Sequence, residues 1–274
     1  MKIPFYKMQG AANDFIVINN IELSFSQAEL VKFAQQICRP HFSLGSDALM
    51  VLDKPQSAGD LRMRFFNSDG SEAEMCGNGV RCLARFAYEE QIAAEEMIIE
   101  TRAGKVHCWR LDQRKYKVQM NLPSVTQWDQ YYAAKELTVD YLELGDPGVP
   151  HLLLSYPDLD NTDLSDLKDL ACRLRSWEEL PKGANVNFYQ IRADNEVVLR
   201  TFERGVEDFT LACGTGAVST AYTLFDKKQI SAKSIKLSTL GGVLEVENRE
   251  GQLYLIGDTN IVAKGILLDE DLQL

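Results

Sequence analysis

The same four-residue pattern occurs twice in the sequence, as Cys76-Gly77-Asn78-Gly79 and as Cys213-Gly214-Thr215-Gly216. The offset between the two cysteines, 213 − 76 = 137, is half the length of the 274-residue chain. Each pattern is followed by a proline-free stretch rich in helix formers or apolar residues, which predicts a buried helix that begins directly after the cysteine. The N-terminus of a helix stabilises a thiolate and attracts carboxylates, and the glycines let a ligand approach the backbone.

Two thiols of this kind suit acid–base chemistry at a carbon atom. If they face a small acid from opposite sides, one thiol removes a proton while the other delivers a proton to the opposite face, which inverts a stereocentre. A lone buried cysteine more often serves as a small apolar residue. The duplication of the glycines together with Cys76 and Cys213 favours the chemical interpretation.

Polar residues precede each cysteine, in the segments 67–72 and 203–205. Alone, the pair Glu203-Arg204 is typical of a surface ion pair that contributes little. The same pair is suited to an amino acid, because arginine binds a carboxylate with two parallel hydrogen bonds and glutamate accepts from an ammonium group. His151 is a candidate for adjusting the pKa of a neighbouring thiol.

The offset of 137 also relates other parts of the two halves. Ser26 and Glu29 form a capping-box pattern before an apolar helical face, and Asp163 replaces the serine in the second copy. That face is predicted to consist of Leu30, Phe33, Ala34 and Ile37 in the first copy and Leu167, Leu170, Ala171 and Leu174 in the second.

Strand-like segments align at the same offset, with residues 15–18 on 152–155 and residues 98–106 on 235–243. We therefore expect two similar domains, because a duplicated unit explains several matches at one spacing. The first comprises residues 1–122 with a C-terminal segment, 262–274, that returns to it as a strand. The second comprises residues 123–261.

The composition argues against several classes of partner. The chain has 29 Lys and Arg against 40 Asp and Glu, a net charge of −11, so neither nucleic acid nor an anionic membrane is an expected partner. It contains no apolar run long enough to span a bilayer and no N-terminal signal peptide, which predicts a cytoplasmic location. The cysteine and histidine spacing predicts no metal site.

Four segments resemble the diaminopimelate epimerase family: 8–15, 67–82, 185–188 and 203–217. The resemblance implies an α/β fold of the α+β kind with two pseudo-symmetric domains from an internal duplication. Each domain would be a strongly curved, mostly antiparallel sheet wrapped round a central helix, with the active site in the cleft between the domains. It also implies an isomerase that converts LL-2,6-diaminopimelate to the meso form for lysine and peptidoglycan synthesis, and a homodimer.

The family mechanism implied by the resemblance needs no pyridoxal phosphate, other cofactor or metal, and uses Cys76 and Cys213 as the acid–base pair. His151 and Glu203 would adjust the pKa values of the thiols. The implied substrate-binding residues are Asn13, Asn67, Gly77, Asn78, Asn185, Glu203, Arg204, Gly214 and Thr215. The chain departs from the usual family pattern at Gln9, Ala12, Ala48, Val149 and Ala263.

Three other functions are compatible with parts of the pattern. One is a two-thiol racemase of the same superfamily that acts on another amino acid. Another is a non-catalytic amino-acid-binding protein, which both Cys-Gly-x-Gly segments argue against. The last is a Cys-His hydrolase with Cys213 as its nucleophile, which leaves the duplicated Cys76 unexplained.

Overall fold

The computed structural model describes residues 2–132, 136–268, 270 and 272. It divides into two compact units, one formed by Met1–Val118 with Gly257–Leu274 and the other by Gln119–Ile256. The fold is of the mixed α/β type, with many strands and few helices.

The secondary structure elements are as follows in chain order. The strands are β1 (Ile3–Gly10), β2 (Asn13–Asn19), β3 (Ala48–Asp53), β4 (Leu61–Asn67), β5 (Glu72–Ala73), β6 (Glu96–Thr101), β7 (Gly104–Arg110), β8 (Lys115–Met120), β9 (Pro123–Tyr132), β10 (Leu137–Leu144), β11 (Val149–Ser155), β12 (Asn185–Ala193), β13 (Glu196–Glu203), β14 (Asp208–Phe209), β15 (Ser234–Thr239), β16 (Gly242–Arg249), β17 (Gln252–Asp258) and β18 (Asn260–Leu267). The helices are α1 (Asn20–Leu23), α2 (Gln27–Ile37), α3 (Gly77–Glu89), α4 (Leu164–Arg175) and α5 (Gly214–Asp226).

The two units share one strand order and one set of strand directions. The first unit has the order β18-β1-β2-β3-β4-β6-β7-β8, and the second has β9-β10-β11-β12-β13-β15-β16-β17. Neighbours in the first unit are antiparallel except β2 with β3 and β4 with β6, within the residues described. The second unit repeats this pattern, with β11–β12 and β13–β15 parallel. This agreement supports the internal duplication that the sequence predicts.

Each sheet curls round one buried helix. Helix α3 packs against β1, β2 and β3 and also against β6 and β7, and α5 packs against β10, β11, β12 and β16. Every residue from Gly77 to Ala87 is buried, which accounts for the proline-free, helix-forming sequence there. Both helices begin directly after their cysteines, as predicted. None of the helices described is long and apolar enough to cross a membrane.

The outer helices α2 and α4 also begin where the sequence predicts. Ser26 accepts from the backbone N–H of Glu29, whose side chain accepts from the N–H of Ser26, so the predicted capping box is confirmed. Asp163 caps α4 through the N–H of Ser165. The predicted apolar residues of both helices are buried against the sheets except Leu170, which is partly exposed.

The alignment of the two hairpins at an offset of 137 is wrong by one residue. The hairpins turn at Thr101–Gly104 and at Thr239–Gly242, which corresponds to an offset of 138. Ile99 therefore corresponds to Leu237, and both are fully buried. An offset of 137 pairs Ile99 with the exposed Lys236. Side chains alternate between the faces of a strand, so a slip of one residue exposes the buried set, and connecting loops absorb the difference.

The strands β2 and β11 are also misaligned by one residue at an offset of 137. Phe15 lies opposite Ala48, and His151 lies opposite Asn185 in the second unit. Because Ala48 and Asn185 are related by the offset of 137, Phe15 corresponds to His151, at an offset of 136. The sequence could not reveal this shift, since all four residues of the segment 15–18 are apolar and buried.

A carboxylate fixes the loop before β4 in the first unit. Glu100 on β6 accepts hydrogen bonds from the backbone N–H groups of Gln56, Ser57 and Gly59 at 2.6, 2.8 and 3.1 Å, and from the Ser57 hydroxyl. These donors favour the ionised form and lower the pKa of Glu100 to about 2. A Cβ atom on Gly59 would lie 2.6 Å from Cγ of Glu100, which explains the glycine.

The Glu100→Gln variant tests this anchor through the pH dependence of stability. Because the pKa of Glu100 is about 2 in the folded protein and 4.5 in the unfolded chain, its carboxylate stabilises the fold fully at pH values above 4.5. This contribution is lost as the pH falls towards about 2. We expect the variant to be less stable than the wild type in urea at pH 7 and the difference to shrink towards pH 3. Glu96→Gln, on the same strand but exposed, is the control. A pH-independent difference would contradict this assignment.

Candidate active site

Cys76 is the N-cap of α3, and its sulfur replaces the usual oxygen acceptor. The N–H of Gly79 donates to Sγ of Cys76 at 3.5 Å, which satisfies one of the free donors at the start of the helix. A Cβ atom on Gly79 would lie 2.9 Å from Sδ of Met50, so the second glycine of the pattern is required by packing. The thiol itself is only partly buried.

Asn13, at the start of β2, lies beside this thiol. Its Oδ1 is 3.4 Å from Sγ of Cys76. Its Nδ2 donates to Asp47 at 2.6 Å, and Asp47 also accepts from the backbone N–H of Asp14 at 3.0 Å. Because the amide nitrogen is bonded to a carboxylate, the amide oxygen must face the thiol. Asp47 therefore orients the Asn13 amide so that its oxygen, and not its nitrogen, faces Cys76.

A fully buried guanidinium lies one turn into α3. Nη2 of Arg81 donates to Oδ1 of Asn78 at 2.9 Å, and Nη1 donates to the carbonyl of Gly77 at 3.4 Å. Burial lowers the pKa of Arg81, while the nearby Cys82, Cys76, Cys108 and Asp258 oppose the shift. A Cβ atom on Gly257 would lie 2.9 Å from Nη2, so that glycine makes room for the charge. The cation therefore lies beneath the first turn that Cys76 caps.

Cys213 caps α5 in the same way. The N–H of Gly216 donates to its sulfur at 3.3 Å, and the hydroxyl of Thr215 lies 3.4 Å away. Burial raises the pKa of the Cys213 thiol, and Glu203 raises it further through its negative charge and by accepting the thiol hydrogen bond. Glu203 also accepts from the hydroxyl of Thr210 at 2.5 Å. The Cys213 thiol is thus held protonated next to a carboxylate.

Arg204 leaves β13 beside Asn185. Its backbone N–H donates to Oδ1 of Asn185 at 2.9 Å, and its Nη1 donates to the carbonyl of Lys182 at 2.8 Å. Nζ of Lys182 is paired with Glu143 at 3.0 Å. The guanidinium is exposed and has donors left, so it can bind a carboxylate from solution.

His151 is fully buried on β11, where it lies opposite Asn185. Its Nδ1 is 3.1 Å from Nδ2 of Asn187. Burial lowers the pKa of His151 to about 3, and the positive charge of Arg204 acts in the same direction. The imidazole is therefore neutral throughout the physiological pH range.

Comparison with known proteins identifies the family of the chain. The model of the diaminopimelate epimerase family matches residues 5–126 and 145–262. The chain is 35% identical to the diaminopimelate epimerase of Archaeoglobus fulgidus, covering all of this chain and 99% of that protein. It is 37% identical to the diaminopimelate epimerase of Aquifex aeolicus, covering 98% of this chain and 99% of that protein. The chain belongs to the diaminopimelate epimerase family. Members of this family are isomerases.

Solved structures show how widely this fold is used. A phenazine biosynthesis protein of the PhzF family from Bacillus anthracis matches with a TM-score of 0.73 at 14% identity, covering 98% of this chain and 99% of the other. A hydroxyproline epimerase from Agrobacterium vitis matches with a TM-score of 0.69 at 16% identity, covering 98% and 92%. At this identity the matches establish the fold alone.

The structure groups the residues predicted for a diaminopimelate epimerase site into local sets. Cys76 contacts Asn13, and Cys213 contacts Glu203 and Thr215. Asn185 contacts Arg204. Gly77, Asn78 and Gly214 lie in buried first turns. Asn67 differs from these, because its side chain donates to Ser71 at 3.0 Å within its own turn.

Three residues that position these groups were not predicted from the sequence: Asp47, Arg81 and Asn187. Asn187 had a usable signal, since it is two residues from Asn185 and strand periodicity places both on one face. The role of Asp47 depends on a contact between β2 and the loop before β3, which the sequence does not encode locally.

The other cysteines lie outside these contacts. Burial raises the pKa of Cys38 to about 11 and of Cys82 to about 12, and it also raises the pKa of Cys108. Cys172 is exposed, and all six cysteines are free thiols. The described part of the chain contains no cluster of three His, Cys, Asp or Glu side chains that could hold a metal ion.

The Glu203→Gln variant tests the electrostatic pairing with Cys213. Removing a like charge in contact with a thiol lowers its pKa by about one unit or more, so the thiolate fraction below the pKa rises about tenfold. We expect alkylation of Cys213 by iodoacetamide at pH 8 to become about tenfold faster, measured by peptide mass spectrometry with the exposed Cys172 as internal reference.

Asp208→Asn is the matched control, because it removes an exposed carboxylate from the neighbouring strand β14. Its Cys213 alkylation rate should equal that of the wild type. An unchanged rate in Glu203→Gln would show that Glu203 does not control the Cys213 thiol.

Proposed function

We propose that the chain converts LL-2,6-diaminopimelate to meso-diaminopimelate, with Cys76 and Cys213 acting on opposite faces of one α-carbon. The observation that carries the proposal is the duplicated helix cap: in a member of this family, each unit presents one thiol at the N-terminus of a buried helix. The conversion inverts one of the two α-carbons of a symmetrical diamino diacid.

The reaction is a balanced proton exchange. One cysteine acts as a thiolate, takes the α-proton and becomes a thiol. The other begins as a thiol, gives its proton to the opposite face of the same carbon and becomes a thiolate. No electron acceptor is consumed, because the carbon gains one proton as it loses another.

The helix N-termini supply the electrostatic stabilisation. Removal of an α-proton moves negative charge onto the α-carboxylate. The backbone N–H groups of Gly77 and Asn78 in one unit and of Gly214 and Thr215 in the other lie in first helical turns, where the helix dipole favours an anion. The buried Arg81 adds a positive charge beneath the turn that begins at Gly77.

The two thiols have different surroundings, which suits them to different starting states. Cys213 is buried beside Glu203, and both effects favour the thiol, so it begins as the proton donor. The forward step leaves Cys76 as the thiol and Cys213 as the thiolate, which are the states that the reverse direction requires. Cys76 is partly exposed and lies near the positive charge of Arg81, which favours a thiolate, and we assign it the role of the base that takes the α-proton.

The end of the substrate away from the reacting carbon requires its own recognition. Arg204 is the group that we assign to the distal carboxylate, since its guanidinium is exposed and has free donors. Asn185 accepts a hydrogen bond from the backbone N–H of Arg204, which fixes the position of the Arg204 Cα atom. Asn13, Asn67 and Glu203 complete the proposed substrate-binding set.

The proposal extends to the cellular setting. The meso product serves lysine and peptidoglycan synthesis, as the family resemblance implies. The enzyme works in the cytoplasm as a homodimer, without a cofactor or metal. The net charge of −11 supports the absence of nucleic-acid and membrane partners.

Deuterium exchange tests the two-thiol mechanism. LL-diaminopimelate incubated with the reduced protein in D2O should gain one deuteron at an α-carbon as it becomes the meso form. Cys76→Ala and Cys213→Ala should each reduce turnover by about a thousandfold or more, because each removes a group that transfers a proton. Mass spectrometry and chiral chromatography report both events.

Cys172→Ala is the control, since that thiol is exposed and lies on the outer helix α4. It should leave turnover unchanged. Turnover of another amino acid with none of diaminopimelate would overturn the substrate, and activity that survives the loss of either thiol would overturn the mechanism.

Replacement of Arg204 by alanine tests the distal carboxylate. A charged hydrogen-bond pair contributes about 2 kcal/mol, so KM for LL-diaminopimelate should rise about thirtyfold with a smaller change in kcat. Arg192→Ala is the control, because Arg192 is an exposed arginine paired with Asp160. Unchanged steady-state kinetics in Arg204→Ala would remove Arg204 from the binding site.

A further inference from the structure

The side-chain amide of Asn187 has only one possible orientation. Its Oδ1 accepts from the hydroxyl of Thr201 at 2.9 Å, and its Nδ2 donates to the carbonyl of Leu152 at 2.9 Å. A backbone carbonyl can only accept, so the atom that faces Leu152 must be the nitrogen. All these groups are buried, with Asn187 at 0% and Thr201 at 3% exposure.

This orientation determines the proton position on His151. The same Nδ2 lies 3.1 Å from Nδ1 of His151, and an amide nitrogen can only donate. Nδ1 must therefore be the unprotonated, accepting nitrogen of the ring. A neutral imidazole carries one proton, which places it on Nε2. Nε2 is buried and has no hydrogen-bond partner among the residues described, so a donor is left unused in the fold.

We propose that Asn187 is a positioning residue that locks His151 as the neutral tautomer with its proton on Nε2, so that His151 serves the reaction as a hydrogen-bond donor and not as a proton acceptor. The inference rests on the proposed function, since it assigns a part in that reaction to His151. It refines the expectation that His151 adjusts the pKa of a neighbouring thiol.

The start of α5 packs closely against this network. A Cβ atom on Gly216 would lie 2.4 Å from Oδ1 of Asn187 and 3.0 Å from Oγ1 of Thr201. The first turn of α5 thus packs closely against Asn187, which orients His151, and against Thr201. The second glycine of the Cys213 pattern is what allows this contact.

The charges around His151 also favour a neutral ring. Arg204 is the charged group that acts on it, and its positive charge opposes protonation. On the paired strands β10 and β12, Leu142 and Asn185 lie opposite His151, and neither titrates. The first turn of α5 carries no acidic residue, and its cap is the Cys213 thiol. None of these groups supplies the negative charge that an imidazolium needs.

Nitrogen NMR tests the tautomer directly, because the chain has only three histidines. In the uniformly ¹⁵N-labelled full chain with His41→Gln and His107→Gln, the one remaining imidazole is His151. Long-range ¹H–¹⁵N correlation should show a neutral ring protonated on Nε2, unchanged from pH 5 to pH 9. A ring protonated on Nδ1, or an imidazolium at pH 7, would overturn the inference.

Two substitutions in the same background test the role of Asn187. Asn187→Leu is close in size and removes the donor, so the imidazole should become a mixture of both neutral tautomers. Thr201→Val is the matched control, because it removes a bond to Asn187 and leaves the amide facing Leu152. It should keep the Nε2-protonated form. A pure Nε2 tautomer in Asn187→Leu would show that Asn187 does not set it.

Steady-state kinetics separate this inference from the proposed function. In the wild-type sequence, Asn187→Leu should reduce kcat about tenfold, while Thr201→Val should change it less than about twofold. The predicted tautomer together with no turnover of diaminopimelate would overturn the function and leave the tautomer assignment standing. Turnover of diaminopimelate by a protein whose His151 carries its proton on Nδ1 would overturn the tautomer assignment and leave the proposed function standing. Asn187→Leu with wild-type kcat and the tautomer mixture would remove His151 from the reaction.

Discussion

A sulfur atom that caps a buried helix is the constraint on which each unit depends. A helix buried along its whole first turn has N–H groups that water cannot reach, so something in the protein must accept from them. Cys76 and Cys213 do so through the N–H of the residue three positions later. Those residues, Gly79 and Gly216, meet the side chains of Met50 and Asn187 closely. Packing thus requires the second glycine, and capping requires an acceptor at the cysteine position, independently of any chemistry.

The shared scaffold supports two different chemical environments. Near Cys76 there are an amide oxygen fixed by Asp47 and a buried guanidinium, whereas Cys213 has a carboxylate beside it. The strand order is common to the two units, so these differences come from side chains. In the proposed reaction, this difference gives the two thiols different preferred starting states.

The sequence predicted the parts of the structure that depend on local patterns. The capping box of Ser26, the helix starts after both cysteines and the duplicated architecture are all found in the structure. The alignment of the halves was wrong by one residue at the hairpins and at β2 and β11, because loop lengths differ and an apolar strand gives no register signal. The site residues stay predictions. What the sequence could not supply are contacts between distant segments, such as Asp47 with Asn13.

The place of β18 bears on the order in which the chain can fold during synthesis. β18 pairs with β1 and takes the position in the first unit that β9 takes in the second. The second unit is continuous in sequence, whereas the first needs residues from both ends of the chain. On the ribosome the N-terminal segment therefore waits, with the edge of β1 unpaired, until the residues of β18 have been synthesised. The unit that is translated first is the last to be completed, and the exposed edge of β1 is where a nascent chain of this design is most open to mispairing.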